Sequence, residues 1–457
     1  VVRGRRRQGK SFMLRRLAKE LGGFYYQAVE EGRSQALAGL GAALGDHLDV
    51  PGGRLALTDW QAAIDAFLAL PRRGGPRLVV LDEFPYLLAH SPELPSLLQR
   101  AFDRSRDGSE GAQLILCGSA LSSMAGLLAG TQALRGRVSL DLVVGAFDYR
   151  TARAYWDIGD AHTAFHVHAV LGGTPGYRDL LPAPPPRSLA EFPGWLAAGP
   201  LNPASALFRE DAYLLTEERA LPDRALYHAV IAAIGEGATS QSRIAAELGR
   251  DAGGVQHALR ALEATGFVTR TDDALRSRRP IYLLADPIVR FHHVVTRRDP
   301  ARFEERRTDQ AWADALPRFS SNVLGPHFEW LAREFAFRFA SELTLGGAAV
   351  SVAPAVVNDA TGRTQHELDV VVQGPGAAGR DTLLALGEAK HSAARMTMRD
   401  LARLERIREL VSARHPAARG ARLLLFSATG FDQALESLAS SREGIELIDL
   451  ERMYAGD

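Results

Sequence analysis

The chain has one cysteine, three lysines among its 54 basic residues and no net charge, and each scarcity excludes something. A lone Cys117 cannot form an internal disulfide, which fits a reducing, cytoplasmic setting rather than a disulfide-stapled secreted one. No apolar run approaches the ~18 residues of a membrane span and no signal peptide is visible, so no membrane partner is expected. With 54 acidic residues balancing 54 basic ones, overall charge does not mark a nucleic-acid binder; only local patches can. Arginine carries nearly all the positive charge. Where a lysine survives that bias, as at Lys10 and Lys390, a compact ammonium on a flexible stem is needed and a planar guanidinium is no substitute. A length of 457 residues allows two to four domains. The chain opens on Val1, inside an apparent strand, so further sequence upstream is expected.

"GRRRQGKS", Gly4 to Ser11, fits G-x-x-x-x-G-K-[ST] at Gly4, Gly9, Lys10 and Ser11. In that pattern backbone N–H groups, including that of Gln8, fold around phosphates, the lysine reaches the β and γ phosphates, and the hydroxyl ligates Mg²⁺. The stub "VVR" precedes it, and Phe12, Leu14, Leu17 and Leu21 follow at helical spacing. Strand, loop and helix in that order put a helix N-terminus where an anion binds.

"RLVVLDEFPYLL" reads as a buried strand delivering Asp82 and Glu83 to its C-terminal edge, where ligands sit in open α/β sheets. There Asp82 is expected to hold Mg²⁺ through water and Glu83 to polarise the attacking water. A further strand, "AQLILCGSA", ends in Ser119, which suits either γ-phosphate sensing or capping of the following helix. Arg135 and Arg137 in "LRGRVSLDL" are either arginine-finger candidates, Arg137 foremost, or exposed surface arginines. Together with "LGGTPGY", these motifs make residues 1 to about 180 resemble the archaeal-type ATPases, a prokaryotic branch of the AAA+ and STAND-like P-loop NTPases. The resemblance implies ATP with Mg²⁺, a switch or motor role, and a helical lid over residues 151–217 after a core at 1–150.

Residues 218–296 read as three short helices and a hairpin, the order of a winged helix-turn-helix. Its third helix offers Gln256, His257 and Arg260 outward, with Val255, Leu259 and Leu262 inward, and the wing tip carries Arg276, Arg278 and Arg279. These residues suit DNA; the same module equally suits relaying nucleotide state through protein contacts.

After a linker at 297–318, residues 319–457 read as a separate α/β unit. A helix carries Glu329, the strand "HELDVVVQG" exposes Asp369, and "LLALGEAKHS" ends in Glu388 and Lys390. Asp369 and Glu388 on neighbouring strands can share a divalent cation, with Glu329 completing its shell. Lys390, two residues on and hence on the same face, would orient a nucleophile or neutralise developing charge. This pattern resembles the PD-(D/E)xK restriction-endonuclease-like fold, with His366, Glu367 and Leu368 where the leading proline would stand. It implies either a metal-dependent nuclease or a binding module. The whole is expected to be a multidomain α/β protein: an ATP-dependent switch coupled to DNA binding or cleavage, or a signalling ATPase that binds only a protein partner. Homo-oligomers are within its expected repertoire.

Overall fold

The computed structural model describes residues 1–72, 75–105, 112–130, 132–218, 221, 223–276, 279–359, 362–376 and 381–457. The chain divides into two compact units: Val1–Ala146 with Thr174–Gly176 and Leu214–Pro222, and Phe147–Gly173 with Tyr177–Tyr213 and Asp223–Asp457.

The first unit is built on β1 (Val2–Arg3), β2 (Phe24–Gln27), β3 (Leu78–Asp82), β4 (Gln113–Gly118) and β5 (Leu142–Val143), paired in the order β2-β3-β4-β1-β5. Every pairing is parallel. Each strand therefore needs a crossover, and the helices that supply it cover both faces. Strand β3 shows the consequence. Val79 and Leu81 pack into one cluster with Phe24, Leu40 and Leu116, while Leu78 and Val80 pack into another with Val2, Leu14 and Ala18. The period-2 alternation of a strand sends successive side chains to opposite faces, so a strand buried on both faces reads as a continuous apolar run. Helix Lys10–Glu20 contributes Leu14 and Ala18 to the second cluster, which fixes its N-terminus at the end of β1.

In the second unit, helices Tyr149–Trp156 and Ala161–Leu171 open on Asp148 and Asp160, whose carboxylates accept first-turn amides. Helices Arg224–Gly235, Gln241–Glu247 and Ala252–Ala264 lead into the antiparallel pair β6 (Val268–Asp272) and β7 (Pro280–Leu284). Residues 297–318 are largely helical, with helices Pro300–Glu304 and Thr308–Arg318. A π-helical stretch, Phe319–Leu324, joins the latter to helix Gly325–Arg338.

A mixed five-stranded sheet follows, in the order β12 (Ile445–Asp449), β11 (Arg422–Ser427), β10 (Asp381–Lys390), β9 (Thr364–Pro375), β8 (Ser351–Asp359). The β8–β9–β10 pairs are antiparallel and the β10–β11–β12 pairs parallel. Leu386, Leu404, Ile407, Leu423 and Leu425 form its buried core with helix Met398–Ser412. Among the described residues, no helix is long and apolar enough to cross a membrane.

Candidate functional site

The loop between β1 and helix Lys10–Glu20 has no room for side chains at one end and needs an unusual backbone at the other. A Cβ on Gly4 would lie 2.3 Å from the Val144 carbonyl oxygen and 2.9 Å from Gln8 Oε1, so Gln8 folds back against the loop. Gly9 has φ 84°, a left-handed conformation that a side chain resists. Arg7, at φ 67°, is left-handed without being glycine. Its carbonyl accepts the Gly176 N–H at 2.9 Å, so the Thr174–Gly176 segment braces the loop. Left-handed residues of this kind turn consecutive N–H groups inward to make an anion nest.

Lys10 is buried, and its ammonium donates to the Arg5 carbonyl at 2.8 Å, inside the loop's own curve. Burial lowers its pKa, while Cys117 and the Glu83 and Asp82 carboxylates oppose the shift. Asp82 is fully buried at the end of β3. Its Oδ2 accepts from the Tyr25 hydroxyl at 2.6 Å and its Oδ1 from the Glu83 N–H at 2.9 Å. Burial pushes its pKa up, but hydrogen bonds from Ser11, Tyr25 and Cys117 outweigh it and hold the carboxyl below its ordinary range. Glu83 sits at φ 51°, an uncommon conformation for a residue with a side chain, and accepts from the Ser119 hydroxyl at 3.0 Å. Arg6, Gln27, Glu83, Tyr86 and Ser119 help line a cavity of about 610 Å³. Ser11, Asp82, Glu83 and Ser119 therefore converge beside the loop, and an oxygen donor set of hydroxyl and ionised carboxylate fits Mg²⁺.

Arg137 lies elsewhere. It pairs with Asp103 at 2.9 Å and lines a second cavity with Phe102 and Leu114, while Arg135 donates to the Gly130 carbonyl at 2.6 Å. Two residues that sequence patterns did not mark take part in the first unit's site. Tyr25 comes from the neighbouring strand, β2. Glu218 is buried, and its carboxylate accepts from the Leu121 N–H at 3.2 Å and the Ser122 hydroxyl at 3.0 Å, capping the helix that follows Ser119.

The second unit's carboxylates meet by sheet register. Gly387 pairs with Val370, so Asp369 and Glu388 come side by side on β9 and β10. Asp369 Oδ2 accepts from the Ala389 N–H at 2.8 Å and its carbonyl from Arg333 at 2.9 Å. Glu329, on helix Gly325–Arg338, stands 4.0 Å from Arg333. Burial raises the pKa of Glu329, and Asp369 adds to it; burial raises that of Asp369 as well. Burial, with repulsion from Asp369, pushes Glu388 up to about 7. One Glu388 oxygen accepts from Arg403 at 2.9 Å; the other, Oε2, is buried with no hydrogen-bond partner among the described residues. Lys390 is tied to Asp400 at 3.1 Å on helix Met398–Ser412.

In the helix-and-hairpin module, Gln256, His257 and Arg260 are exposed along helix Ala252–Ala264, whose Val255, Leu259 and Leu262 are buried. The turn of the β6–β7 hairpin is docked on the mixed sheet. Ala274 donates to the Pro354 carbonyl at 3.0 Å, Val356 to Asp273 Oδ2 at 3.0 Å, and Gln373 to the Ala274 carbonyl at 3.2 Å. The first two bonds fall on the edge of β8, whose backbone an edge strand otherwise leaves unpaired on that side. Arg279 is exposed and Arg276 half-buried; Arg278 lies outside the described residues.

Strand, nest-forming loop, helix and a parallel sheet define an α/β protein with a P-loop-like core. No family model matches the chain, and no curated protein sequence does. Solved structures similar to it include a Walker-type ATPase of Pyrococcus abyssi, at 18% identity and TM-score 0.48, covering 64% of this chain and 89% of that one. An Aeropyrum pernix ORC protein solved as ADPNP–ADP complexes has 15% identity and TM-score 0.38, covering 68% of this chain and 88% of its own. Another ORC protein of that organism, solved in complex with DNA, has 18% identity and TM-score 0.28, over 67% and 87% of the two chains. Likeness at this level carries no function across; what this chain can do is decided by its own residues.

Proposed function

We propose that the chain is an ATP-binding P-loop ATPase working as a nucleotide-dependent switch. The observation that carries this reading is Asp82, fully buried yet held ionised by donors that include Ser11, the hydroxyl that follows Lys10. A buried carboxylate in this state is costly unless it has a cationic or hydrogen-bonding task. In this reading Gly4, Gln8 and Gly9 shape the nest for the phosphates and Lys10 neutralises them. Ser11 and Asp82 hold Mg²⁺, which would shield phosphate charge. Glu83 accepts a proton from the attacking water, and Ser119 keeps Glu83 aimed until then, at 3.0 Å. Arg137 reaches nucleotide in this scheme only as a finger offered to another copy of the chain. The test is fluorescent ATP-analogue binding and phosphate release by the parent, Lys10→Ala and Glu83→Gln chains. Undiminished binding by Lys10→Ala would sink the assignment.

The domain scheme of core 1–150, lid 151–217, winged helix 218–296, linker 297–318 and nuclease-like domain 319–457 belongs to the same proposal. Its output is DNA. The exposed Gln256, His257 and Arg260 would meet base edges and phosphates, with Arg276, Arg278 and Arg279 as further phosphate contacts. The docked hairpin turn favours the alternative, in which the winged helix passes nucleotide state to the mixed sheet and the partner is a protein.

A second reading rests on the orphaned Glu388 Oε2. Asp369 raises the pKa of both Glu329 and Glu388, and three partly buried carboxylates so placed fit a divalent cation; Asp369, Glu388 and Glu329 would hold one for phosphodiester hydrolysis. Such an ion supplies Lewis acidity at the phosphate. Lys390, released from Asp400, would face developing charge there. Nicking of plasmid DNA with Mn²⁺, with and without ATP, tests it; uncut DNA together with no Mn²⁺ heat by calorimetry would leave the domain as a binding module.

A further inference from the structure

A third cluster of chemistry-bearing side chains lies in the helical part of the second unit. Asp211 on helix Glu210–Glu217, His228 on helix Arg224–Gly235 and His293 on helix Pro287–Val294 each offer a ligand atom, all within 4.8 Å of one another. His228 Nδ1 and His293 Nε2 are 3.2 Å apart. Two ligands at 2.0–2.1 Å on a tetrahedral zinc ion are separated by about 3.3 Å. His293 Nδ1 donates to the Val289 carbonyl at 3.0 Å, so its Nε2 is an acceptor and takes a hydrogen bond from His228 Nδ1, which an ion between the two nitrogens would replace. A backbone carbonyl on one ring nitrogen, with the other free to ligate, is how metal-bound histidines are oriented. The side chains of His293 and Asp211 are 2% and 3% exposed, and His228 is half-buried.

Arg297 also stands at the cluster, 3.0 Å from Asp211 Oδ2. It is a cation already on the carboxylate, but its side chain is 39% exposed and can swing to solvent. The connectivity gives the cluster a task. Between Asp211 and His228 the chain leaves this unit and runs through Leu214–Pro222, which belongs to the nucleotide-site unit and carries Glu218. An ion bound to both residues would pin the two ends of that excursion.

We propose that Asp211, His228 and His293 form a transition-metal site of the zinc class, with three protein ligands, a fourth position open to water, and the structural task of closing the 211–228 loop. A mixed imidazole and carboxylate set suits Zn²⁺ over Mg²⁺ or Ca²⁺, which prefer all-oxygen shells. The full chain, stripped with chelator and kept in excess Mg²⁺ to fill oxygen-only sites, is titrated with Co²⁺. One equivalent should develop the intense visible bands of tetrahedral cobalt, and Zn²⁺ should displace them. His228→Gln should abolish the bands and weaken Zn²⁺ binding by at least the ~10–100-fold that loss of an outer-shell partner costs. Parent bands that are absent, or equally strong in His228→Gln, overturn the proposal. Arg297→Ala is a second arm that does not depend on His228→Gln folding. Removing the competing cation should lower Tm without metal and make Zn²⁺ binding tighter, with Zn²⁺ restoring Tm; a loss of Tm that Zn²⁺ leaves unchanged also overturns it.

Discussion

The molecule contains two acidic sites carried on strands, and they handle the cost of burying charge in opposite ways. At Asp82 the chain supplies its own donors: the Tyr25 hydroxyl at 2.6 Å, the Glu83 N–H at 2.9 Å, and Ser11. The carboxylate stays ionised with no ion needed. At Asp369 and Glu388 the donors run short. Arg403 and the Ala389 N–H each satisfy one oxygen, Glu388 Oε2 is left over, and the carboxylates repel one another. The first arrangement favours the ionised carboxylate; the second favours the protonated one. A preorganised site and an unsatisfied one can thus share one kind of element, an acid carried on a largely apolar strand.

The largest effects should separate the two sites by ligand. Lys10→Ala should abolish ATP-analogue binding and leave divalent-cation heats at the second unit untouched. Glu83→Gln should retain binding and lower turnover by ~10²–10⁴-fold, the usual contribution of a positioned base. Phosphate release and calorimetry on the same preparations check both. A loss of second-unit cation binding on Lys10→Ala would break the comparison.

Next comes pH. The Glu388 pKa rises from 4.5 to about 7 on folding, chiefly through burial with repulsion from Asp369. A group raised in the folded state contributes full stability below its unfolded pKa and loses it as pH climbs through the folded one. In chelator, the second unit should therefore weaken between about pH 4.5 and about pH 7, by ~1–3 kcal/mol for a shift of this size. Glu329, Glu367 and Asp400 are the acids that face this pair, and Arg333, Arg403 and Lys390 the bases that moderate it. Mn²⁺ should restore stability at pH 8, and Glu388→Gln should flatten the profile; thermal melts across pH read both. Asp82, lowered in the folded state, should behave with opposite sign, contributing stability that is lost as pH falls through its folded pKa.

A smaller effect tests whether preorganisation at Asp82 depends on its neighbour strand. Tyr25→Phe removes one charge-assisted hydrogen bond, worth ~1.5–3 kcal/mol. The first unit's Tm should drop, while the C-terminal sheet melts as before.

What the sequence made legible follows the same division. Gly4, Gly9, Lys10 and Ser11 are readable because one tight loop dictates their spacing, and β3 and β4 because a strand covered on both faces is apolar throughout. Tyr25 is not readable. It reaches Asp82 through the parallel register that sets Gln27 beside Asp82, and nothing in "FYYQ" announces that pairing. Glu218 comes from a separate stretch of chain. Strand β8 carries Pro354 at the register shift between Ala353 and Ala355, and mixes small residues with half-buried ones, so neither periodicity nor a long apolar run marks it. The cluster of Asp211, His228 and His293 joins three helices far apart in sequence, and each residue alone looks like an ordinary polar position on a helix.

The finest distinction concerns the winged helix, where the two output readings part. Helix Ala252–Ala264 exposes Gln256, His257 and Arg260, whereas the hairpin turn is held to β8 and β9 through Asp273, Ala274 and Gln373. A turn tied down at both backbone and side chain cannot move freely into a DNA groove, so the helix face should carry more of any DNA affinity than the turn. Each phosphate contact removed lowers the slope of log K against log salt by about one unit. Arg260→Ala should therefore cost that unit and weaken all duplexes alike, while Arg279→Ala, beside the docked turn, should change the slope by less. Gel shifts over a salt series give both slopes. If neither substitution moves the slope, the exposed helix face is a protein surface, and the bonds from Asp273 and Gln373 become the route by which the winged helix and the mixed sheet move as one body.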